Sequence, residues 1–219
     1  MKHVFIALFI GLFSLPAMAQ DVNLDRLLTD RVLGDPNAPV TIVEHSSLTC
    51  PHCMAFHTQT LPKIKESLID TGKAKLIFSD YPLNAPALQG SMIARCFEDD
   101  DLYFDYINFL FETQSDWAGV PDPRPYLAQN ARLLGISSEQ LDSCMQTEGY
   151  QDAFIKKVQE ISEFKQVKST PTFIIAETGE RLTGNKPYPV FETAVNFALK
   201  QDKEDKSESE DADKAEKEE

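Results

Sequence analysis

Residues 47–56 read "SLTCPHCMAF", and the two cysteines in this stretch, Cys50 and Cys53, decide what kind of domain surrounds them. A Cys-x-x-Cys spacing serves metal clamps, structural staples and thiol pairs that pass electrons, so the flanking residues carry the decision. Upstream, residues 40–44 (VTIVE) are a β-branched run that reads as a strand, entered from the turn cluster Asp35-Pro36-Asn37-Ala38-Pro39. Downstream, residues 54–70 keep helical spacing except at Pro62, where a kink or a new turn is expected. Cys50 therefore stands where a strand hands over to a helix. Unpaired backbone N–H groups and the helix dipole favour an anion at such a place, and a thiolate is an anion.

The compartment changes what the cysteines mean. Lys2, an apolar run over residues 4–15, Pro16 and the small-residue ending Ala17-Met18-Ala19 form the three-part pattern of a secretory signal peptide. Cleavage is expected after Ala19, which places the mature chain in the periplasm. The apolar run is shorter than the ~20 residues a membrane-spanning helix needs. In an oxidising compartment thiols are expected as disulfides unless chemistry requires otherwise. Four cysteines allow three pairings; if Cys50 pairs with Cys53, then Cys96 and Cys144 either pair or stay free.

Charge argues against a nucleic-acid partner. The formal net charge is −14, which would repel a phosphate backbone. Ten acids and four lysines fall in residues 201–219, a stretch with no apolar residue larger than alanine. It is expected to be a solvated, disordered acidic tail. The hydrophobic fraction of 42% excludes disorder throughout and supports one folded body over residues 20–200.

Along that body, residues 23–31 read as a short helix, 40–44 and 75–79 as strands, and 85–167 as a run of amphipathic helices. Gly135 ends one of these helices, and Ser137-Ser138-Glu139-Gln140 offers a capped start for the next. The aromatic residues between Tyr103 and Phe111 read as core for this lobe. Residues 172–176 and 181–183 then read as a hairpin about Thr178-Gly179, and 190–200 as a closing helix. The expectation is an α/β protein: one mixed sheet covered by helices, with an inserted helical lobe over about 85–167. No phosphate loop, dinucleotide motif or repeat interrupts the pattern.

The residues near the pair suit thiol chemistry. His52, between the cysteines, is placed to stabilise sulfur at Cys50. A drop in pKa from ~8.5 to ~5 would raise the thiolate fraction at pH 7 from ~3% to ~99%. It would favour the reduced form by ~5 kcal/mol and shift the couple by on the order of 100 mV towards an oxidant. Cys53, one turn further on, is suited to resolving a mixed disulfide. Glu44 precedes Cys50 by six residues, and strand alternation lets it point beneath the cysteines as a proton acceptor for Cys53. In "STPTFII", Thr170-Pro171 opens a strand and fits a cis bond that exposes Thr170 backbone groups to an extended substrate.

Cys50-Pro51-His52-Cys53, the six-residue offset of Glu44, the helical insertion and Thr170-Pro171 together resemble the DsbA-like thiol–disulfide oxidoreductases, a branch of the thioredoxin superfamily. The lead-in "GDPNAPVTIVEHSSLTCPHC" and the later "ARCFEDDDLYFDYINFLFE" are similar to its secreted bacterial members. The resemblance spans about residues 32–200. It implies a thioredoxin fold and the oxidation of cysteines in newly exported proteins through a mixed disulfide at Cys50. It also implies re-oxidation by a membrane partner of the DsbB or VKOR kind, with no cofactor. Cys96 and Cys144 would form a second, structural disulfide, as in some members. Such a bond would close a loop of about 48 residues and contribute up to ~4 kcal/mol through chain entropy.

Three other readings are open, one of them a pure binding or chaperone module with a vestigial site, which the intact cysteine pair disfavours. Cys50 and Cys53 with His45, His52 or His57 would supply three metal ligands, but a structural zinc site usually needs four, so no metal is expected. Another is a disulfide isomerase or reductase on the same fold, where isomerases often dimerise or trimerise through an N-terminal extension. The roughly 19 residues before the first strand are short for one, so a monomeric oxidase is favoured.

Overall fold

The parallel centre of the sheet follows from two apolar, β-branched runs joined by one helix, a connection that returns the chain parallel to its start. The computed structural model describes residues 23–216, so the expected signal peptide lies outside the described residues. Strand β2 (Val40–Ser46) pairs in parallel with β3 (Ala74–Asp80), in a register running from Val40 opposite Ala74 to Ser46 opposite Asp80. β4 (Thr172–Ile175) lies antiparallel to β2, and β5 (Arg181–Thr183) antiparallel to β4. β1 (Arg31–Leu33) runs antiparallel to β3 at the opposite edge, giving the order β1-β3-β2-β4-β5.

Two details of the first strands differ from the sequence expectation. The helix expected over 23–31 ends early, as α1 (Leu24–Leu28), and Arg31 belongs to β1 instead. A three-residue strand carries no periodicity to read. Its anchor is tertiary: the buried Arg31 guanidinium donates to the carbonyls of Arg95, Phe97 and Glu98 and to the Asp100 carboxylate. β2 also extends past Glu44 to Ser46, because buried polar residues continue the ladder where hydrophobic alternation stops. At Pro62 the helix changes form, as the sequence predicts: α2 (Pro51–Ala55) passes into a wider π turn at Phe56–Thr60, a new segment α3 (Leu61–Ile64) starts with Pro62 in its first turn, and a second π turn follows at Lys65–Ile69. A proline ring clashes with the carbonyl four residues back. The wide turn answers this by sending the Leu61 N–H to the Phe56 carbonyl.

The inserted lobe comprises α4 (Ala85–Ala94), α5 (Asp100–Glu112), α6 (Gln114–Trp117), α7 (Arg124–Leu133), α8 (Ser138–Met145) and α9 (Tyr150–Phe164). Tyr103, Phe104, Tyr106, Phe111 and Trp117 are all buried within it. A disulfide joins Cys96 to Cys144 with Cα atoms 5.7 Å apart. Arg95 ties the lobe to the sheet: Nε donates to Asp80 Oδ2 at 2.7 Å, and Nη1 reaches the carbonyls of Leu27 and Thr29. The sheet and the lobe share one hydrophobic core.

The last helix, α10 (Tyr188–Glu216), does not stop at Lys200 but carries on through the acid-rich stretch that was expected to be a disordered tail. After Pro189 that stretch contains no glycine or proline, and alanine, glutamate and lysine dominate its end, all good helix formers. Among the described residues no helix is long and apolar enough to cross a membrane.

Candidate active site

Cys50 is the N-cap of α2, with extended backbone (φ −84°, ψ 121°), and Pro51 occupies the first helical turn. Proline suits that place because its φ is already helical and the N–H it lacks would have been unpaired. Capping leaves the Cys50 sulfur facing the free N–H groups of its own helix, and the Cys53 and His52 backbone N–H groups both favour its thiolate. Just before β4, the neighbour of β2, the Thr170 carbonyl accepts from Cys50 Sγ at 3.4 Å, across 120 residues of chain. The Thr170–Pro171 bond is cis. Gln114, buried at the start of α6, holds the turn in place by donating to the carbonyls of Leu48 (2.8 Å) and Cys50 (3.2 Å).

The two thiols are electrostatically unlike. The Cys53 thiol, donating to Cys50, is the largest influence lowering the Cys50 pKa, which falls from 9.0 to about 5. Burial opposes the shift; the Thr170 hydroxyl and the two backbone N–H groups add to it. That hydroxyl oxygen is buried beside the sulfur and has no hydrogen-bond partner of ordinary geometry. Cys53 is fully buried, and its thiol is pushed far up: first by burial, then by its role as donor to Cys50, then by the negative charge of Glu44. One sulfur is therefore built to be an anion and the other to keep its proton.

Beneath them, Glu44 is fully buried on β2. His57, in the first π turn, sets Nε2 at 3.1 Å from both Glu44 carboxylate oxygens, and its Nδ1 at 2.9 Å from Asn108 Oδ1. Phe111 stacks on the imidazole at 4.2 Å between ring centroids, and Phe78 meets it edge-on.

The family model described as thioredoxin matches residues 26–214. The solved structure of Wolbachia pipientis alpha-DsbA1 superposes with a TM-score of 0.71 at 27% identity, covering 79% of this chain and 92% of that one. The chain is a DsbA-like member of the thioredoxin family.

Other likenesses agree with that placement. Oxidised BdbD from Bacillus subtilis superposes on this DsbA-like protein with a TM-score of 0.65 at 26% identity, covering 78% of this chain and 93% of that one. A curated relative from Rickettsia conorii, named "Putative protein-disulfide oxidoreductase RC0029", is 30% identical over 175 residues, 80% of this chain. The chain spans 62% of the length of that relative. Disulfide bond formation protein D of Bacillus subtilis is 29% identical over 154 residues, 66% of each chain.

In the DsbA-like protein, tertiary structure brings Cys50, Pro51, Cys53, Glu44, Thr170 and Pro171 together at the end of the central strands. The ring of His52 is exposed, and the contribution to the Cys50 thiolate comes through its backbone N–H. The histidines considered as metal ligands do not gather round the sulfurs. His45 is buried with Nδ1 on Ser79 Oγ, and its pKa is lowered to about 4, chiefly by burial. His57 engages Glu44 and Asn108 instead. Sequence reasoning missed three residues of the site: His57 as the partner of Glu44, Asn108 behind it, and Gln114 under the cysteine turn. A histidine four residues past Cys53 was the one available signal, since that spacing returns a side chain to the same helix face. Asn108 and Gln114 lie on the inserted lobe and carried none.

Proposed function

We propose that the chain is a periplasmic thiol:disulfide oxidoreductase that introduces disulfides into exported proteins, with Cys50–Cys53 as its redox couple. The observation that carries this reading is the opposed tuning of the two sulfurs, Cys50 towards the thiolate and Cys53 towards the thiol. A substrate thiolate attacks Cys50 Sγ of the disulfide, the S–S bond breaks, and Cys53 leaves as a thiolate that takes up a proton. A second substrate thiolate then attacks the substrate sulfur of the mixed disulfide. Cys50 departs as its stable thiolate, the substrate loses two electrons, and the protein becomes the dithiol. Because the good leaving group is Cys50, the couple favours oxidation of the substrate.

Each remaining residue has a part in this reading. Pro51 and His52 present the helix N–H groups to Cys50, and Glu44 exchanges a proton with Cys53. The backbone at Thr170-Pro171, which faces the Cys50 sulfur, pairs with an extended segment of the substrate. A membrane protein of the DsbB or VKOR type restores the disulfide, and the catalyst works as a monomer exported by its signal peptide.

The test is the equilibrium potential of the couple in glutathione buffers, together with trapping. An oxidase is expected well above the roughly −270 mV of a reducing thioredoxin. Cys50→Ala should abolish exchange. Cys53→Ala should accumulate mixed disulfides with exported proteins, seen as reductant-sensitive bands. A potential at the thioredoxin value, or exchange surviving in Cys50→Ala, would overturn the reading.

A further inference from the structure

Glu44 is buried, so a proton passing between it and Cys53 needs a way to and from water. Among the described residues, the hydrogen-bond partner of its carboxylate is His57 Nε2. Phe78, opposite Glu44 in the β2–β3 register, and Phe111, stacked on the imidazole, enclose the pair in apolar surface. The Glu44 and His57 side chains are 0% and 1% exposed. Beyond them, however, His57 and Asn108 line a cavity of about 450 Å³ between α5 and the helix that follows the cysteines. Asn108 is half-buried, so it links the sealed pair to that space.

The hydrogen bonds fix the bookkeeping of protons. Asn108 Oδ1 is an acceptor, so the ring carries a proton on Nδ1. Across the contact between Nε2 and Glu44, one further proton is shared. It sits on nitrogen, giving an imidazolium–carboxylate pair, or on oxygen, giving a neutral imidazole and a carboxylic acid. Moving it across 3.1 Å interconverts the two forms with no other change. The charged groups around the unit are Lys65 from the second π turn and Asp101, Asp105 and Glu112 from α5, all on the cavity wall.

We infer that His57 is a positioning and proton-relay residue: it orients Glu44 and conducts the Cys53 proton past Asn108 to water in the cavity behind the active site. This inference rests on the oxidoreductase reading and deepens it. The relay is used each time Cys53 changes protonation. With glutathione disulfide as oxidant, the Cys50 thiolate first attacks one glutathione sulfur and releases glutathione thiolate. Cys53 then passes its proton to Glu44 and, through His57, to cavity water. Its thiolate attacks Cys50 Sγ, the second glutathione thiolate leaves, and the Cys50–Cys53 disulfide forms. Two protein thiols are oxidised, and one glutathione disulfide is reduced to two thiols.

Acid-quenched mass spectrometry of the reduced full-length protein mixed with glutathione disulfide separates these steps. In His57→Ala, formation of the glutathionylated intermediate should stay within about two-fold of wild type. Its resolution should slow on the order of 100-fold, the lower end of what a positioned proton-transfer group contributes. Added imidazole, entering through the cavity, should restore resolution in a saturable way, with a pH profile that follows imidazole. Glu44→Gln should be as slow as the double variant with His57→Ala, because the two act as one unit. Should His57→Ala not fold, Asn108→Leu, which leaves the Glu44–His57 contact intact, should still slow resolution several-fold. Resolution at the wild-type rate in the folded variants would overturn the relay, as would slow resolution that imidazole leaves untouched. Failure of wild type to form the glutathionylated intermediate would instead reject the oxidoreductase reading itself.

Discussion

Cys50 shows how much of this protein's chemistry is set one residue at a time. Its pKa of about 5 in the dithiol form, against 9.0 without the fold, means that folding favours the thiolate. Because the folded value is the lower one, the stabilisation is fully present only above about pH 9. It shrinks as pH falls and is lost below about pH 5. The disulfide form has no such group, so the reduced protein should be more stable than the oxidised one at neutral pH, with the gap closing towards pH 5. Paired thermal melts of the two forms across pH 4–9 would check this, and thiolate absorbance gives the midpoint directly. His52→Leu keeps the backbone N–H and removes the ring. If the exposed ring adds to the backbone, the midpoint rises above 5; an unchanged midpoint assigns the whole shift to Cys53, Thr170 and the helix N–H groups. The sequence placed Cys50 at a helix start, but the Thr170 hydroxyl and the buried Cys53 donor are consequences of packing.

At the scale of elements, local chemistry was legible wherever a cap or a period announces itself. Ser137 accepts from the Gln140 N–H at 3.1 Å, and the Gln140 side chain accepts from the Ser137 N–H at 2.9 Å, a reciprocal capping box at the start of α8. Ser137→Ala should therefore cost about 1 kcal/mol, read as a lower urea midpoint with an unchanged slope. Helices α5, α7, α8 and α9 and the β4–β5 hairpin were readable for the same reason: their apolar spacing matches their own geometry, whereas α4 is buried on nearly every side. β1 was not readable, because three residues cannot show a period and what holds them is the Arg31 guanidinium on carbonyls some 65 residues away. The strand ends at His45 and Ser46 were also hidden, since polar residues there are buried by partners on other elements.

For the whole molecule, the joint between sheet and lobe decides stability and places the site. Arg95 and Asp80 are both almost fully buried, and the guanidinium also serves the carbonyls that end α1. Removing one partner leaves a buried charge without compensation, so Arg95→Leu should cost about 3–5 kcal/mol. Chemical denaturation would measure it, and Asp80→Asn combined with Arg95→Leu should recover part of the loss. The Cys96–Cys144 bond closes 48 residues of the same lobe. It thereby limits the unfolded chain that this joint competes against. The lobe also supplies Asn108 and Gln114 to the surroundings of the cysteine pair, so the insertion is part of the frame that holds it.

The sequence by itself determined the cysteine pair, its position at a strand-to-helix junction, the succession of elements from β2 onward in outline, and the acid upstream of the cysteines. Those features are local, and period, capping and turn chemistry act over a few residues. Tertiary structure alone decided that Thr170 meets Cys50, that His57 faces Glu44, that Cys96 reaches Cys144 and that a cavity opens behind the imidazole. Buried polar groups must find hydrogen-bond partners, and in this protein those partners come from elements far apart in the chain.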